Sequence, residues 1–319
     1  MKALKNIFAL MFALLLLACP ALLVAQDAET PAAETKPVNK EVRKTFENPV
    51  LINNQTVESM GKKSLDFTIQ HRFGTIEDEN DMFGLYAPAN IRMGLTYGIT
   101  ERLSAGIGAT KNKHYYDFNW KYVILRQTKP GGMPVTVTYF GDIARQAGSH
   151  MQFLNGDGKY KQANRISYFH ELMVARKVNS HLSLQAGGTW SYFNMIDTSS
   201  TVDNDMSRDY IGVSFVARYQ FSPQSSIIAE FDLPITTWST TTVTKTGTSA
   251  NGSVTELKKY YGKPNPGIGY EVATSGHQFQ IFVCSAQGII AQETRVYNAN
   301  AFFDKGVLIG FNITRQWGF

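Results

Sequence analysis

The residues best placed for chemistry are ionisable side chains standing at every second position of apolar runs. They are Asp66, Arg72, Arg92, Asp117, Lys121, Asp142, Glu171, Arg218, Glu230, Asp232 and Glu271. In a wall between lipid and a bore, a basic side chain on the lipid face costs about 2–4 kcal/mol at mid-depth, so this set is expected to face inward. Around an open passage it would form a field that selects solutes, and seven acids against four bases lean weakly toward cations. Across a narrow bore the opposite charges would pair and brace the interior, which is the reading the spacing favours.

Other constellations carry less. His181 and Ser183 share a strand face and resemble a base and nucleophile, but no carboxylate or amide partner is placed beside them. His71, His114, His150, His170, His181 and His277 have no metal-ligand spacing. The acidic run Glu77-Asp78-Glu79-Asn80-Asp81 lacks the glycine-punctuated spacing of a calcium loop. Gly106-Ile107-Gly108 lies within a strand pattern and opens no helix, so it is no phosphate loop. The sequence therefore assigns no catalytic residue, no cofactor-binding residue and no metal ligand.

The elements that position the charges alternate with period two. Leu65, Phe67 and Ile69 oppose Asp66, Thr68 and Gln70; Ile91, Met93, Leu95 and Tyr97 oppose Arg92, Gly94, Thr96 and Gly98; Tyr116, Phe118, Trp120 and Tyr122 oppose Asp117, Asn119 and Lys121. Ile211, Val213, Phe215, Ala217 and Tyr219 oppose Gly212, Ser214 and Arg218, with Val216 a misfit. Strands are expected at 65–74, 90–99, 103–110, 115–127, 135–145, 165–177, 182–193, 209–221, 225–236, 267–274, 278–287 and 306–319. Connections 100–102, 128–134, 178–181, 222–224 and 275–277 are short. They alternate with 75–89, 111–114, 146–164, 194–208, 237–266 and 288–305, of which all but 111–114 are long. Sorting of loop length by parity is the asymmetry of an outer-membrane barrel and has no cause in a soluble sandwich. The last strand places Val307, Ile309, Phe311, Ile313, Trp317 and Phe319 on one face, broken only by Arg315. Trp317 and Phe319 are candidates for an assembly signal read by the barrel assembly machinery.

The amino terminus reads as a secretory signal peptide over 1–25: Lys2 and Lys5, an apolar stretch Ile7 to Leu17, and Ala25 before a cut at Gln26. Cys19 raises a lipoprotein site as the rival. Removing Lys2 and Lys5 leaves 29 basic residues against 26 acidic ones, a net +3, too balanced to argue for nucleic acid. Only Cys284 then remains, so no internal disulfide forms. Residues 26–63 divide into a polar lead-in, 26–47, expected to be flexible, and a semi-apolar segment, 48–63, expected as a short helix or as a plug against the barrel mouth. The Thr/Ser-rich stretch 237–255 is expected to be a long external loop.

The stretches His71-Arg72-Phe73-Gly74, Phe83-Gly84, Tyr97-Gly98-Ile99-Thr100 and Arg102-Leu103 resemble an uncharacterised, domain-of-unknown-function β-barrel family of Bacteroidota outer membranes, over roughly residues 48–319. The resemblance implies a fold and a location and brings no activity or site residue.

The expectation is an all-β chain: a transmembrane antiparallel up-and-down barrel of about twelve strands over 64–319, with its amino-terminal segment in the periplasm. Its partners are outer-membrane lipid, the assembly machinery and small solutes. A passive small channel, or a structural or binding barrel, is the first function; an outer-membrane enzyme resembling a lipid hydrolase, or a soluble exported sandwich, are the alternatives.

Overall fold

A computed structural model describes residues 40–76, 82, 84–129, 132–154, 158–195, 202–246 and 253–319. The expected signal peptide, most of the lead-in and the acidic run 77–81 lie outside the described residues.

Twelve antiparallel strands close into a barrel. They are β1 (Ser64–Thr75), β2 (Asn90–Gly98), β3 (Leu103–Thr110), β4 (Tyr115–Leu125), β5 (Thr136–Gln146), β6 (Ile166–Lys177), β7 (Leu182–Phe193), β8 (Asp209–Gln220), β9 (Ser225–Pro234), β10 (Asn265–Ala273), β11 (His277–Cys284) and β12 (Leu308–Gly318). Each pairs with its neighbours in sequence, and β12 returns to β1 through pairs such as Ile313↔Ile69 and Trp317↔Leu65. Closure removes the edges that an open sheet would expose to lipid.

Burial alternates along the strands as the period-two pattern requires. Met93, Leu95, Ile107, Phe118, Phe215 and Ile281 stand exposed on the outer wall, where a lipid hydrocarbon would cover them. Short connections are closed by local side-chain bonds. Asn179 Oδ1 accepts from the backbone N–H of His181 and of Leu182, both at 2.8 Å, and Thr100 Oγ1 accepts from Leu103 N–H at 2.9 Å. Trp317 and Phe319 end β12 on this short-turn rim, and Phe319 N–H donates to Lys63 O at 3.0 Å.

The connections and the lead-in hold more structure than expected. The stretch 237–255 is no plain loop: Trp238–Thr246 and Ser253–Tyr261 form a hairpin, and Val202–Asn204 adds a third strand. Threonine and valine are strand formers, so a composition that looks merely polar builds a sheet. The connection 288–305 holds a short helix, α1 (Ala291–Val296), all of it buried. The lead-in is not wholly free: Lys40–Glu41 pairs with Thr128–Lys129, and Glu41 meets Arg102 at 2.8 Å.

Residues 45–60 neither form a helix nor rest against the mouth. They enter at the short-turn rim, rise into the barrel and return, with Val50–Leu51 paired to Asn54–Gln55 at the tip. Phe46, Leu51, Ile52 and Val57 pack with inward-facing Phe140, Phe169, Met173, Val216, Ile228 and Phe282 in one apolar cluster inside the barrel. Val216, the misfit of β8, faces that cluster.

Candidate functional site

The bore is the place where the charged positions converge, and it is filled. Arg92 forks onto Asp117 at 2.8 and 2.6 Å, and the cradle for its guanidinium is built from Gly94 and Gly108: a Cβ on Gly108 would lie 2.3 Å from Arg92 Nη2. Arg218 meets Glu271 at 2.7 Å. Asp66 accepts from Thr68 Oγ1 at 2.5 Å, and Glu171 from Ser214 Oγ at 2.6 Å. Asp142 is buried, with Oδ1 unpartnered.

The remaining charged positions hold the amino-terminal hairpin. Arg72 is fully buried, stacked over Phe282, and donates to Asn53 Oδ1 at 3.0 Å and Ile52 O at 2.9 Å. Lys121 Nζ donates to Pro49 O and Glu58 O, both at 2.9 Å. Glu230 accepts from Asn53 N–H at 2.8 Å, Asn53 Nδ2 at 2.7 Å and Asn54 Nδ2 at 2.8 Å. Uncharged wall residues complete the grip: Gln185 and Thr138 bond the backbone of Val57, Gln280 that of Ile52 and Val50, and Ser183 that of Thr45.

Ile52, at the tip, has φ 54°. A β-branched residue in the left-handed region is strained by roughly 1–2 kcal/mol. The strain is held by three wall residues: Gln280 takes its N–H, while Arg72 and Asn312 donate to its carbonyl.

From the opposite rim α1 reaches down to the same tip. Arg295 Nη2 donates to Asn54 Oδ1 at 2.5 Å and lies 3.2 Å from Asp232 and 3.8 Å from Glu171. Arg295, Asn53 and Asn54 stand outside any period-two pattern, and no spacing in the sequence brings Asp232, Glu171 and Glu230 together around them.

His181 and Ser183 do not form a dyad. Ser183 Oγ is spent on Thr45 O at 2.5 Å and faces the bore, while exposed His181 bonds Gln220 O at 2.7 Å through Nδ1. Among the described residues no group of His, Cys, Asp or Glu could hold a metal ion.

Above α1 a cavity of about 300 Å³ opens at the long-loop end. Lys113 and Arg165 border it with Tyr115, Phe193, Trp238 and Tyr297. A second, of about 220 Å³, lies at the short-turn rim around Glu58, Arg43 and Arg126. Burial pushes the Glu58 carboxyl above its usual 4.5, opposed by the N–H groups of Thr45 and Phe46 and by Arg126 and Lys121.

The model of a family described as a membrane bound beta barrel domain (DUF5777) matches residues 46–317. The chain belongs to that family. The match opens at Phe46 and so spans this chain's amino-terminal hairpin as well as its barrel strands. The protein is a membrane-bound β-barrel. No curated protein sequence matches it. Among solved structures it is similar to the NanC porin, at 12% identity and a TM-score of 0.46, over 80% of this chain and 100% of that one. It is also similar to an outer membrane channel from Pseudomonas putida F1, at 9% identity and a TM-score of 0.45, over 82% of this chain and 97% of that one.

Proposed function

We propose that this family member is a passive, non-enzymatic barrel held shut by its own amino-terminal hairpin, with the short-turn rim in the periplasm and the long loops outside. One observation carries the reading: the wall uses Arg72, Lys121 and Glu230, three of its bore-facing charges, to bind the backbone and amides of residues 49–58 rather than to line water. A wall designed for permanent conduction has no use for inward Phe140, Phe169, Met173 and Phe282; a wall that receives a hairpin does. The weak cation preference expected of an open bore therefore applies only once the hairpin has left. Arg72, Arg92, Asp117, Lys121, Arg218, Glu230 and Glu271 are taken up in bracing or in holding the hairpin, which supports a non-enzymatic role.

The experiment is single-channel recording in planar bilayers. Full-length protein should be silent or open rarely, and deletion of residues 45–60 should give discrete conductance steps. Glu230→Gln, which keeps the chain whole and weakens the grip on Asn53 and Asn54, should raise the frequency of openings. Equal conductance in all three proteins would overturn closure by the hairpin; silence from a folded, heat-modifiable deletion protein would overturn the channel.

A further inference from the structure

The long-loop cavity combines features that together describe a ligand. Arg165 is only 8% exposed, and among the described residues no carboxylate pairs with it. Its Nε donates to Tyr160 OH at 2.7 Å and its Nη1 to Gln146 O at 3.2 Å, while Phe153 and Tyr160 hold its plane at 4.3 and 5.3 Å. Nη2 has no hydrogen-bond partner among the described residues. Guanidinium stays charged at any physiological pH, and its planar fork matches an oxyanion. A buried cation with no counter-ion is costly, and an anion in the cavity would remove that cost.

The second cation on the lining, Lys113, already shares its charge with Glu293 at 3.3 Å and with the Tyr297 ring at 3.7 Å. Among the described residues no carboxylate lines the cavity. The anion would therefore meet one unpaired cation and one half-paired cation, with the nearest described carboxylate, Glu293, held behind Lys113.

The far side is an aromatic corner. Tyr297 meets Phe193 and Trp238 edge-to-face, with centroids 5.5 and 5.6 Å apart. Trp238 is fixed by donation from Nε1 to Val296 O at 2.8 Å and by stacking on Tyr261 at 4.1 Å. Rigid aromatic walls receive a flat or ring-shaped apolar face at low entropic cost. Gln146 and Gln152 border the same space and can bond hydroxyl groups. A volume of about 300 Å³ is at the bottom of the usual range for ligand pockets, which suits one ring and excludes a chain of them.

We propose that this cavity binds a small hydroxylated ring carrying one carboxylate, the carboxylate on Arg165 and the ring against Trp238 and Tyr297. The ring can be a sugar or an arene, and the probes separate the two. Calorimetric titration of the full-length protein in detergent would compare glucuronate with glucose, and 4-hydroxybenzoate with 4-hydroxybenzamide. At least one acid should bind saturably and its neutral counterpart about tenfold or more weaker, as the loss of a charged hydrogen bond implies. Arg165→Gln should remove the preference for the acid, and Arg165→Lys should restore part of it; heat-modifiability on gels shows that each variant is folded. Equal binding of acid and neutral partner, no binding of either acid, or an unchanged preference in folded Arg165→Gln would each overturn the proposal. The titration reads binding and not conductance, so its outcome is independent of whether the hairpin gates the bore.

Discussion

Arg295 of α1 donates to Asn54 of the amino-terminal hairpin at 2.5 Å, across 241 residues of sequence. Two segments that enter the barrel from opposite rims thus meet tip to tip inside it. Each tip completes the other: without Arg295 the Asn54 Oδ1 loses its donor, and without Asn54 the Arg295 guanidinium over Phe169 loses the amide that completes its hydrogen bonds. The junction closes the bore from both ends and makes each segment a condition for the other.

Replacing Arg295 by Met should therefore be costly beyond its own contacts. It leaves Asp232 and Glu171 buried with no ion-pair partner among the described residues, and breaking a buried pair from one side costs about 3–5 kcal/mol where water is excluded. Adding Asp232→Asn should recover part of the loss, because the stranded charge is then gone. Urea unfolding of the single and double variants from lipid vesicles measures the cycle. Strict additivity would mean that water already fills the space around α1.

Gly98 carries a second structural dependence. A Cβ at this position would lie 1.8 Å from the backbone oxygen of Gly61, on the return leg of the hairpin. Backbone cannot swing aside as a side chain can, so Gly98→Ala should displace residues 60–62 while β2 remains paired. We expect a folded, heat-modifiable barrel that opens more often in planar bilayers. Gly108→Ala is the control: its Cβ meets the tip of Arg92, a side chain that can move by giving up its fork on Asp117. That variant should lose stability without opening the bore.

The strand faces were legible because lipid imposes a rule on every second residue, which only the bore-facing residues packed on the hairpin, such as Val216, blur. Gly98 was legible as part of Tyr97-Gly98-Ile99-Thr100, but not its reason, which lies at Gly61. The hairpin was hidden for a physical cause. Its segment is held through backbone N–H and C=O groups of Ile52, Pro49, Val57 and Glu58, and backbone groups leave no mark in a sequence. α1 is six residues long, too short for a helical period to show. A signal was present on the wall. Phe140, Phe169, Met173, Val216 and Ile228 stand at bore-facing positions of their strands, and apolar residues there imply something other than water to meet them.

Glu58 should make closure depend on pH. Its carboxyl is buried at the short-turn rim, accepts from Thr45 N–H at 2.6 Å, and holds its proton above the usual 4.5. The docked segment binds a proton that the released one gives up, so its stability contribution is complete below 4.5 and declines as pH rises through the raised value. Arg126 and Lys121, which face the same carboxyl, limit the effect and do not reverse it. Openings should become more frequent as pH is raised from 4.5 through the raised value of the Glu58 carboxyl. Glu58→Gln, neutral throughout, should flatten the profile. The same rise in the variant would assign it to another group.

The two faces of β2 give the sharpest test of the barrel wall. Leu95 is 42% exposed on the outside, whereas Arg92, three residues earlier, reaches inward to Asp117 and Gln70. Leu95→Arg puts a charge into hydrocarbon and should cost about 2–4 kcal/mol if the residue lies near mid-depth. Arg92→Ala leaves Asp117 with Asn119 Nδ2 at 3.0 Å and frees the space over Gly94 and Gly108, which water can enter from the bore. The barrel should still form, with a smaller loss than that of Leu95→Arg. Folding of both variants into vesicles, followed by urea unfolding, compares the two losses directly. A tolerated Leu95→Arg beside a ruinous Arg92→Ala would mean that the outer face of β2 meets protein or water and not lipid. The exposed apolar row of Met93, Leu95 and Ile107 would then need another cover.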